Sequence, residues 1–383
     1  MACKVKLAAA LMAALFFICP SPSDAGPPRI SADSVILMDA ESGQVLYEKN
    51  GFARKEPASL TKIITAILAL EYGHPDEVAT VSKRSASISV GQELRLAAGD
   101  RITLGNLVKA ALMYSANDST VAIAEHIAGT EDRFVELMNA KALVLGALHT
   151  RFANTNGYHH PNHYSTAYDL AIITRYAITN QDFARIIKTP RDTIQWADGD
   201  KKVEINNTNR LVRDNSYEGI LGVKTGSTIR AGNCLIAAAQ RDGRTIIAVV
   251  LHSRNRYKDA VKLLDYGFHD MMPVELCRRH ESFGKLPVAG GIMKEVEAVT
   301  GDGVTVYLSE EDRGRVIKKV LPEKRLNAPV RAGQRVGAAV FTLRGKELAR
   351  VSLIAAREVK KPGIIYRIRG ASNIYRPVPD KFP

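Results

Sequence analysis

Ser59-Leu60-Thr61-Lys62 spaces a hydroxyl and an amine three residues apart. On a helical turn that spacing puts both side chains on one face. A serine hydroxyl is a weak nucleophile until a neighbour takes its proton. A lysine takes it once burial and nearby cations lower its pKa. Pro57-Ala58 before the pair, and the apolar run 63–70 after it, read as the first turn and body of a buried helix. The helix start adds free N–H groups and partial positive charge, both suited to a developing oxyanion. A second S-x-x-K, Ser282 to Lys285, has Gly284 and Pro287 beside it and reads as linker.

Two further motifs follow in order. Ser115-Ala116-Asn117 lies between helical stretches 104–113 and 120–128, hence in a turn. Ser115 there suits proton relay between Lys62 and a leaving amine, and Asn117 suits holding a substrate amide carbonyl. Helix capping by Asp118 or Ser119 is the plainer reading of this stretch, and is compatible with the first. Lys224-Thr225-Gly226 precedes a strand (234–239), a turn at Arg241-Asp242-Gly243-Arg244 and a second strand (245–250). A cation and a hydroxyl beside a glycine suit capture of a carboxylate, because glycine lets a ligand approach the backbone. Each motif alone is weak, since Ser253-Arg254-Asn255 repeats the second pattern as well. Order, spacing and context of the three together carry the inference.

The elements that must position them are legible in outline. Residues 35–47 read as a hairpin turning at Glu41-Ser42-Gly43, and further helices are expected at 131–145, 166–179 and 257–271. Strands at both ends with helices between them predict an α/β domain. Gly284, Pro287, Gly290 and Gly291 suggest a boundary, with alternating runs at 304–308 and 336–343 beyond it reading as a small all-β domain. The expected division is 1–25 signal peptide, 26–282 catalytic domain, 283–358 β-rich domain and 359–383 basic tail. The signal reading rests on Lys4 and Lys6, the apolar run 7–18, and small residues before Gly26.

In this order the motifs resemble the penicillin-recognising serine DD-peptidases, and most nearly their low-molecular-mass D-alanyl-D-alanine carboxypeptidases. The resemblance runs from Val35 to Phe268 and more weakly to Glu358, with support from Ile36-Leu37-Met38-Asp39-Ala40, 134–139 and 164–169. It implies an antiparallel sheet flanked by helices, a helical insert, and a cleft between them. Ser59 would form an acyl-enzyme with a peptidoglycan stem peptide, with Lys62 as general base and Ser115 and Asn117 assisting. Lys224 and Thr225 would bind the terminal carboxylate. Gly226 would admit the substrate, and the N–H groups of Ser59 and Ser227 would form the oxyanion hole. β-Lactams would acylate the same serine. Ser227 stands where relatives often carry histidine or tyrosine, and Ala116 where glycine is common.

Class A β-lactamases share two of the motifs but carry Ser-Asp-Asn and a glutamate that activates the deacylating water. Here the middle residue is Ala116, and Glu136-Leu137-Met138-Asn139 is one residue short of the corresponding segment. A non-catalytic wall-binding or penicillin-sensing protein is the other alternative, disfavoured by the intact motifs.

No cofactor and no metal are expected. His159, His160 and His163 sit in a polar loop with Asn154, Asn156 and Gly157 and read as a cleft rim rather than a zinc site. Asp169, three residues after Thr166, reads equally as part of a helix start or as a carboxylate near the substrate. Past the signal only Cys234 and Cys277 remain, too few for a disulfide framework. The chain carries a formal charge of +13, concentrated in its last hundred or so residues. The tail holds Lys360, Lys361, Arg367, Arg369 and Arg376 beside several isoleucines, a composition that adsorbs to anionic membrane. The signal reading predicts secretion across the inner membrane to a periplasmic or extracytoplasmic location, in contact with the membrane through the tail, and an enzyme so exported is not expected to meet nucleic acid.

Overall fold

The computed structural model describes residues 26–363 apart from 200 and 324; the signal reading and most of the basic tail lie outside the described residues. Its central sheet has five antiparallel strands in the spatial order Val45–Lys49, Ser34–Asp39, Arg244–Ser253, Gly232–Arg241 and Ile220–Thr228. Successive residues of the central strands alternate between two cores. Ile36, Met38, Ile236, Ala238, Ile247 and Val249 face the helical insert. Val35, Leu37, Leu235, Ala237, Ile246 and Ala248 face the helix Arg256–Asp265. Burial on both faces explains why these strands read as near-continuous apolar runs.

Beneath the first core lies the helix Lys62–Tyr72, fully buried from Lys62 to Ala69. Around it pack Leu104–Lys109, Asn117–Ala128, Glu131–Val144, Ala167–Ala177 and Gln181–Lys188. The expected helices are therefore present, two of them finishing as π-helical turns at Ala110–Tyr114 and Tyr266–Asp270. The α/β class is what the residue pattern predicts, and the antiparallel sheet and helical insert are what the family resemblance implies.

The β-rich part begins earlier than the expected break at 283. Met272–Cys277 already pairs with Val304–Leu308. Ser282–Ala289 is a strand, so Ser282 and Lys285 are not linker residues. The glycines and proline misled because they serve the strand itself. Gly284, at φ +96°, sits where the register with Glu295–Thr300 shifts, and Gly290, at φ +68°, turns the hairpin. The remaining strands complete a six-stranded sheet around Val296, Val336, Phe341 and Leu353. Gln44 holds this part to the catalytic domain through two hydrogen bonds with the backbone of Tyr307 (2.7 and 2.9 Å). The Arg244 guanidinium stacks 3.4 Å over the Tyr307 ring. Among the described residues no helix is long and apolar enough to cross a membrane.

Candidate active site

Ser59 lies in a single 3-10 turn, Ala58–Thr61, that opens directly into the helix beginning at Lys62. Ala58 is held at φ +49°, a conformation unfavourable for a residue with a Cβ. The three-residue spacing does what it predicts: Lys62 Nζ is 2.9 Å from Ser59 Oγ. The lysine is wholly buried. Its other two contacts are to Asn117 Oδ1 at 2.7 Å and the backbone oxygen of Asn156 at 2.9 Å.

Those two partners take up two of the directions open to the amine. The Asn117 amide nitrogen donates to the Val90 carbonyl, so its oxygen faces Lys62. A carbonyl oxygen only accepts. A neutral amine with its two N–H groups on these oxygens keeps its lone pair for the Ser59 hydroxyl. Burial, and next the Lys224 ammonium, hold the Lys62 pKa well below the ordinary lysine value, with Asp118 opposing. Geometry and electrostatics thus favour the form that accepts a proton.

Asn156 belongs to a loop pressed onto the nucleophile turn. Gly157, at φ +88°, permits that approach: a Cβ there would lie 1.8 Å from the Ala58 carbonyl oxygen. His163 anchors the loop. Its Nδ1 accepts from the Ala153 N–H at 3.1 Å, so Nε2 carries the proton and donates to Thr61 Oγ1 at 2.8 Å. Thr61 passes its own hydroxyl hydrogen to the Ala58 carbonyl at 2.9 Å. Burial pushes His163 down to about 4, which keeps it neutral. His163 is therefore a structural tie, while His159 lines the cleft beside Glu56, its Nδ1 2.9 Å from the carboxylate without a well-formed hydrogen bond. The described residues contain no cluster of histidine, cysteine or carboxylate side chains able to hold a metal.

Ser115 closes the π-helical turn in the left-handed region, at φ +72°, and so points its neighbourhood into the cleft instead of continuing the helix. It lines the same cavity as Ser59 and Asn117. Among the described residues its hydroxyl makes no hydrogen bond to Lys62, whose three positions are already filled. Asp118 does not cap the next helix: its carboxylate accepts from the N–H groups of Leu94, Leu96 and Ser119 (3.1, 3.1 and 2.8 Å) and pins the opposite wall of the cleft. Asp169 faces away from the cavity. Thr166 caps its N–H, and its carboxylate holds His149 and Thr150.

Lys224, Thr225, Gly226 and Ser227 lie on Ile220–Thr228, the sheet's last strand, whose free edge abuts the nucleophile turn. Gly226 makes this possible, since a Cβ there would crowd Ser59 N and Ala58 Cβ, each at 3.1 Å. Thr225 points up to Thr208, hydroxyl to hydroxyl, at 2.8 Å. Lys224 departs from the expectation of direct carboxylate capture. It is 1% exposed, does not line the cavity, and donates to the Thr225 carbonyl at 3.0 Å. Its pKa is pushed down to about 7, by burial and then by Arg256. Alternation along a strand turns it inward, as it turns Thr225 outward.

A cation that does reach the cavity, and that sequence reasoning missed, is Arg256. It donates to the Gly226 carbonyl (3.0 Å), Ser227 Oγ (2.8 Å) and the Cys234 carbonyl (3.3 Å). Nothing in its local sequence marks it, because it is brought there from the start of the last helix of the domain. Thr208, Tyr158 and Arg230 also line the cavity, whose volume is about 660 Å³. No aspartate or glutamate is among its lining residues, and Glu136 is exposed on the outside of its helix. Cys234 and Cys277 are both buried and free.

An antiparallel sheet with a helical insert, and a serine with a buried lysine 2.9 Å away in the cleft between them, point to the serine hydrolases as the class. Residues 21–255 match the D-alanyl-D-alanine carboxypeptidase family, and residues 272–361 match the penicillin-binding protein 5 C-terminal domain. The chain belongs to the D-alanyl-D-alanine carboxypeptidase family. It is 35% identical over 344 residues to the D-alanyl-D-alanine carboxypeptidase DacF of Bacillus subtilis, covering 87% of each chain. The crystal structure of the carboxypeptidase DacD from Francisella tularensis is similar at 26% identity and a TM-score of 0.73, over 88% of this chain and 96% of that one. Penicillin-binding protein 5 from Haemophilus influenzae is similar at 28% identity and a TM-score of 0.71, over 88% and 99%.

Proposed function

We propose that Ser59 is the acylated residue of this serine-type D-alanyl-D-alanine carboxypeptidase and that Lys62 is its base. The observation that carries the assignment is the buried Lys62 amine, 2.9 Å from Ser59 Oγ and otherwise bound only to carbonyl oxygens. The substrate is a peptidoglycan stem peptide ending in D-alanyl-D-alanine. Ser59 Oγ attacks the carbonyl of the penultimate D-alanine while Lys62 takes its proton. The N–H groups of Ser59 and Ser227 stabilise the oxyanion. The C–N bond then breaks, and the proton passes to the leaving D-alanine amine with Ser115 beside its path. Water attacks the resulting ester, gives a proton back through Lys62, and frees the shortened peptide as its carboxylate.

Asn117 has two tasks in this scheme: it orients the amine of Lys62 and borders the substrate backbone. Thr225 and Arg256 hold the terminal carboxylate. Lys224, below them, acts on charge balance: it keeps Lys62 deprotonated and supports the strand edge. β-Lactams, which present a strained amide next to a carboxylate, acylate Ser59 in the same way. The absence of a carboxylate from the described cavity lining favours this reading over a glutamate-dependent β-lactamase.

Release of D-alanine from a synthetic pentapeptide tests the activity, and mass mapping of a penicillin adduct tests the residue. Absence of release, or an adduct elsewhere than Ser59, refutes the assignment. Such a substrate lies outside the cytoplasm, so residues 1–25 are read as an export signal and the basic tail 359–383 as a reversible contact with anionic membrane. Truncation after Glu358 is expected to release the protein from anionic vesicles at low salt; equal binding with and without the tail rules out that contact.

A further inference from the structure

Ser253-Arg254-Asn255, the second S-x-N of the chain, sits where the strand Arg244–Ser253 hands over to the helix Arg256–Asp265. Ser253 ends the strand, and Asn255 caps the helix by accepting from the Lys258 N–H at 3.2 Å. Arg256 is the first residue of that helix, so this turn sets the point from which its guanidinium reaches the cavity. Nη1 is spent on Gly226, Ser227 and Cys234, and the other two guanidinium nitrogens make no hydrogen bond among the described residues.

Behind the turn lies a buried carboxylate. Asp259, one helical turn after Arg256, is 3% exposed. Its Oδ2 accepts from the Ser253 hydroxyl at 2.6 Å, the Ser31 hydroxyl at 2.7 Å and the Ala32 N–H at 2.9 Å; its Oδ1 accepts from the Ser31 N–H at 3.0 Å. Burial opposes its ionisation, and the donors from Ser253, Ser31 and Ala32 outweigh burial and hold the carboxyl below its ordinary value. Having given its hydrogen to Asp259, Ser253 Oγ accepts from the Asn255 N–H at 2.9 Å. The carboxylate thus fixes which way that hydroxyl faces, and through it the backbone next to Arg256. A second route joins the same groups. The Ser253 carbonyl accepts from Asn233 Nδ2 at 3.4 Å, and Asn233 Oδ1 accepts at 3.2 Å from Ser227 Oγ, the hydroxyl that Arg256 contacts.

Ser31 and Ala32 come from the opposite end of the domain's sequence. Lys49 Nζ holds the carbonyls of Ile30 and Ala32 at 3.2 and 2.7 Å, and Lys262 Nζ holds that of Arg29 at 3.0 Å, so backbone contacts lay this segment along the helix. We propose that Asp259 is a positioning residue for recognition of the terminal carboxylate: it clasps Ser31-Ala32 to Ser253 and thereby sets where Arg256 stands. An asparagine cannot take over this task. Each carboxylate oxygen faces a backbone N–H, Ser31 on one and Ala32 on the other, so either orientation of an amide sets its NH2 against a donor that cannot reverse. The inference rests on the reading of Arg256 as a carboxylate ligand and adds the group that holds it in place.

The test measures kcat/KM for release of the last residue from Nα,Nε-diacetyl-L-lysyl-D-alanyl-D-alanine and from its C-terminal amide. The wild type is expected to prefer the free carboxylate about 10–100-fold. Asp259→Asn should cut that preference about tenfold, mainly through KM, as expected when one charge-assisted contact is misplaced. Ser253→Ala leaves Ser31 and Ala32 on the carboxylate and removes only the link to Asn255; it should lower the preference about threefold or more. Near-ultraviolet circular dichroism establishes folding, and if Asp259→Asn does not fold, Ser253→Ala decides. A wild-type preference in a folded variant overturns the inference. So does an equal fall for both peptides, which makes Asp259 a brace of the fold alone. A wild type without the preference, or an Arg256→Ala protein that keeps it, instead refutes the reading of Arg256, and this inference with it.

Discussion

Lys62→Arg is the substitution that separates a base from a mere cation. Both side chains are long and basic, but a guanidinium stays protonated and has no lone pair to offer. In the native site the amine binds two carbonyl oxygens and turns its third direction to Ser59 Oγ at 2.9 Å. A guanidinium can still donate to those carbonyls, so binding geometry is partly kept while proton acceptance is lost. General-base catalysis is worth about 10²–10⁴-fold, or roughly 3–5 kcal/mol of barrier. The variant also forces a permanent charge into a wholly buried position. Asp118, the carboxylate whose charge acts on Lys62, is committed to three backbone N–H groups. Loss of stability on the order of several kcal/mol is expected with it. The assay is the second-order rate constant for acylation by a fluorescent penicillin at pH 8, with near-ultraviolet circular dichroism and a thermal melt to establish folding. A folded Lys62→Arg protein that acylates within about threefold of wild type, well short of the general-base range, would show the reasoning to be wrong.

Arg256→Ala should lower kcat/KM for a free terminal carboxylate by about 10–100-fold, as expected for a lost charge-assisted contact. It should also erase the wild-type discrimination against an amidated terminus; discrimination that persists in the variant assigns the carboxylate to another residue. Gly157→Ala puts a Cβ 1.8 Å from the Ala58 oxygen, so both the melting temperature and the acylation rate should fall, and unchanged acylation contradicts the role given to that loop. Lys224, held at about 7 in the fold against an ordinary 10.5, binds fewer protons folded than unfolded between those values. Stability to urea should therefore rise with pH from about 7 to 10.5, by at most about 1.4 kcal/mol per pH unit for this residue. Below pH 7 the full penalty is present. Lys224→Met should flatten that slope in part, since Lys62 contributes with the same sign; an unaltered slope shows that Lys224 is not the group titrating.

Local rules made much of this protein readable from its residues. A three-residue spacing on a helical turn fixes which side chains share a face, so Ser59 and Lys62 had to meet if that turn formed. Period-two and period-3.6 apolar patterns mark which faces are buried, so the strands at 234–239 and 245–250 and the helices at 63–70 and 131–145 were visible in outline. What the chain does at a distance was not. The lowered pKa of Lys62 depends on its burial and on Lys224, and the direction of its amine on Asn117 Oδ1 and the Asn156 carbonyl; these partners come from segments far along the chain and meet only through packing. Lys224 and Arg256 exchange the places that residue type alone suggests, because strand alternation turns one inward and a helix start delivers the other to the cavity. Gly284 and Gly290 imitate a domain boundary until strand pairing shows them to be a bulge and a turn. Gly157 is legible as a loop glycine, but its necessity comes from the Ala58 oxygen it must pass. Backbone propensity and side-chain periodicity act over a few residues and are written in the sequence. Desolvation, like-charge repulsion and the direction of a lone pair depend on what surrounds a group in three dimensions, and tertiary packing alone decides that.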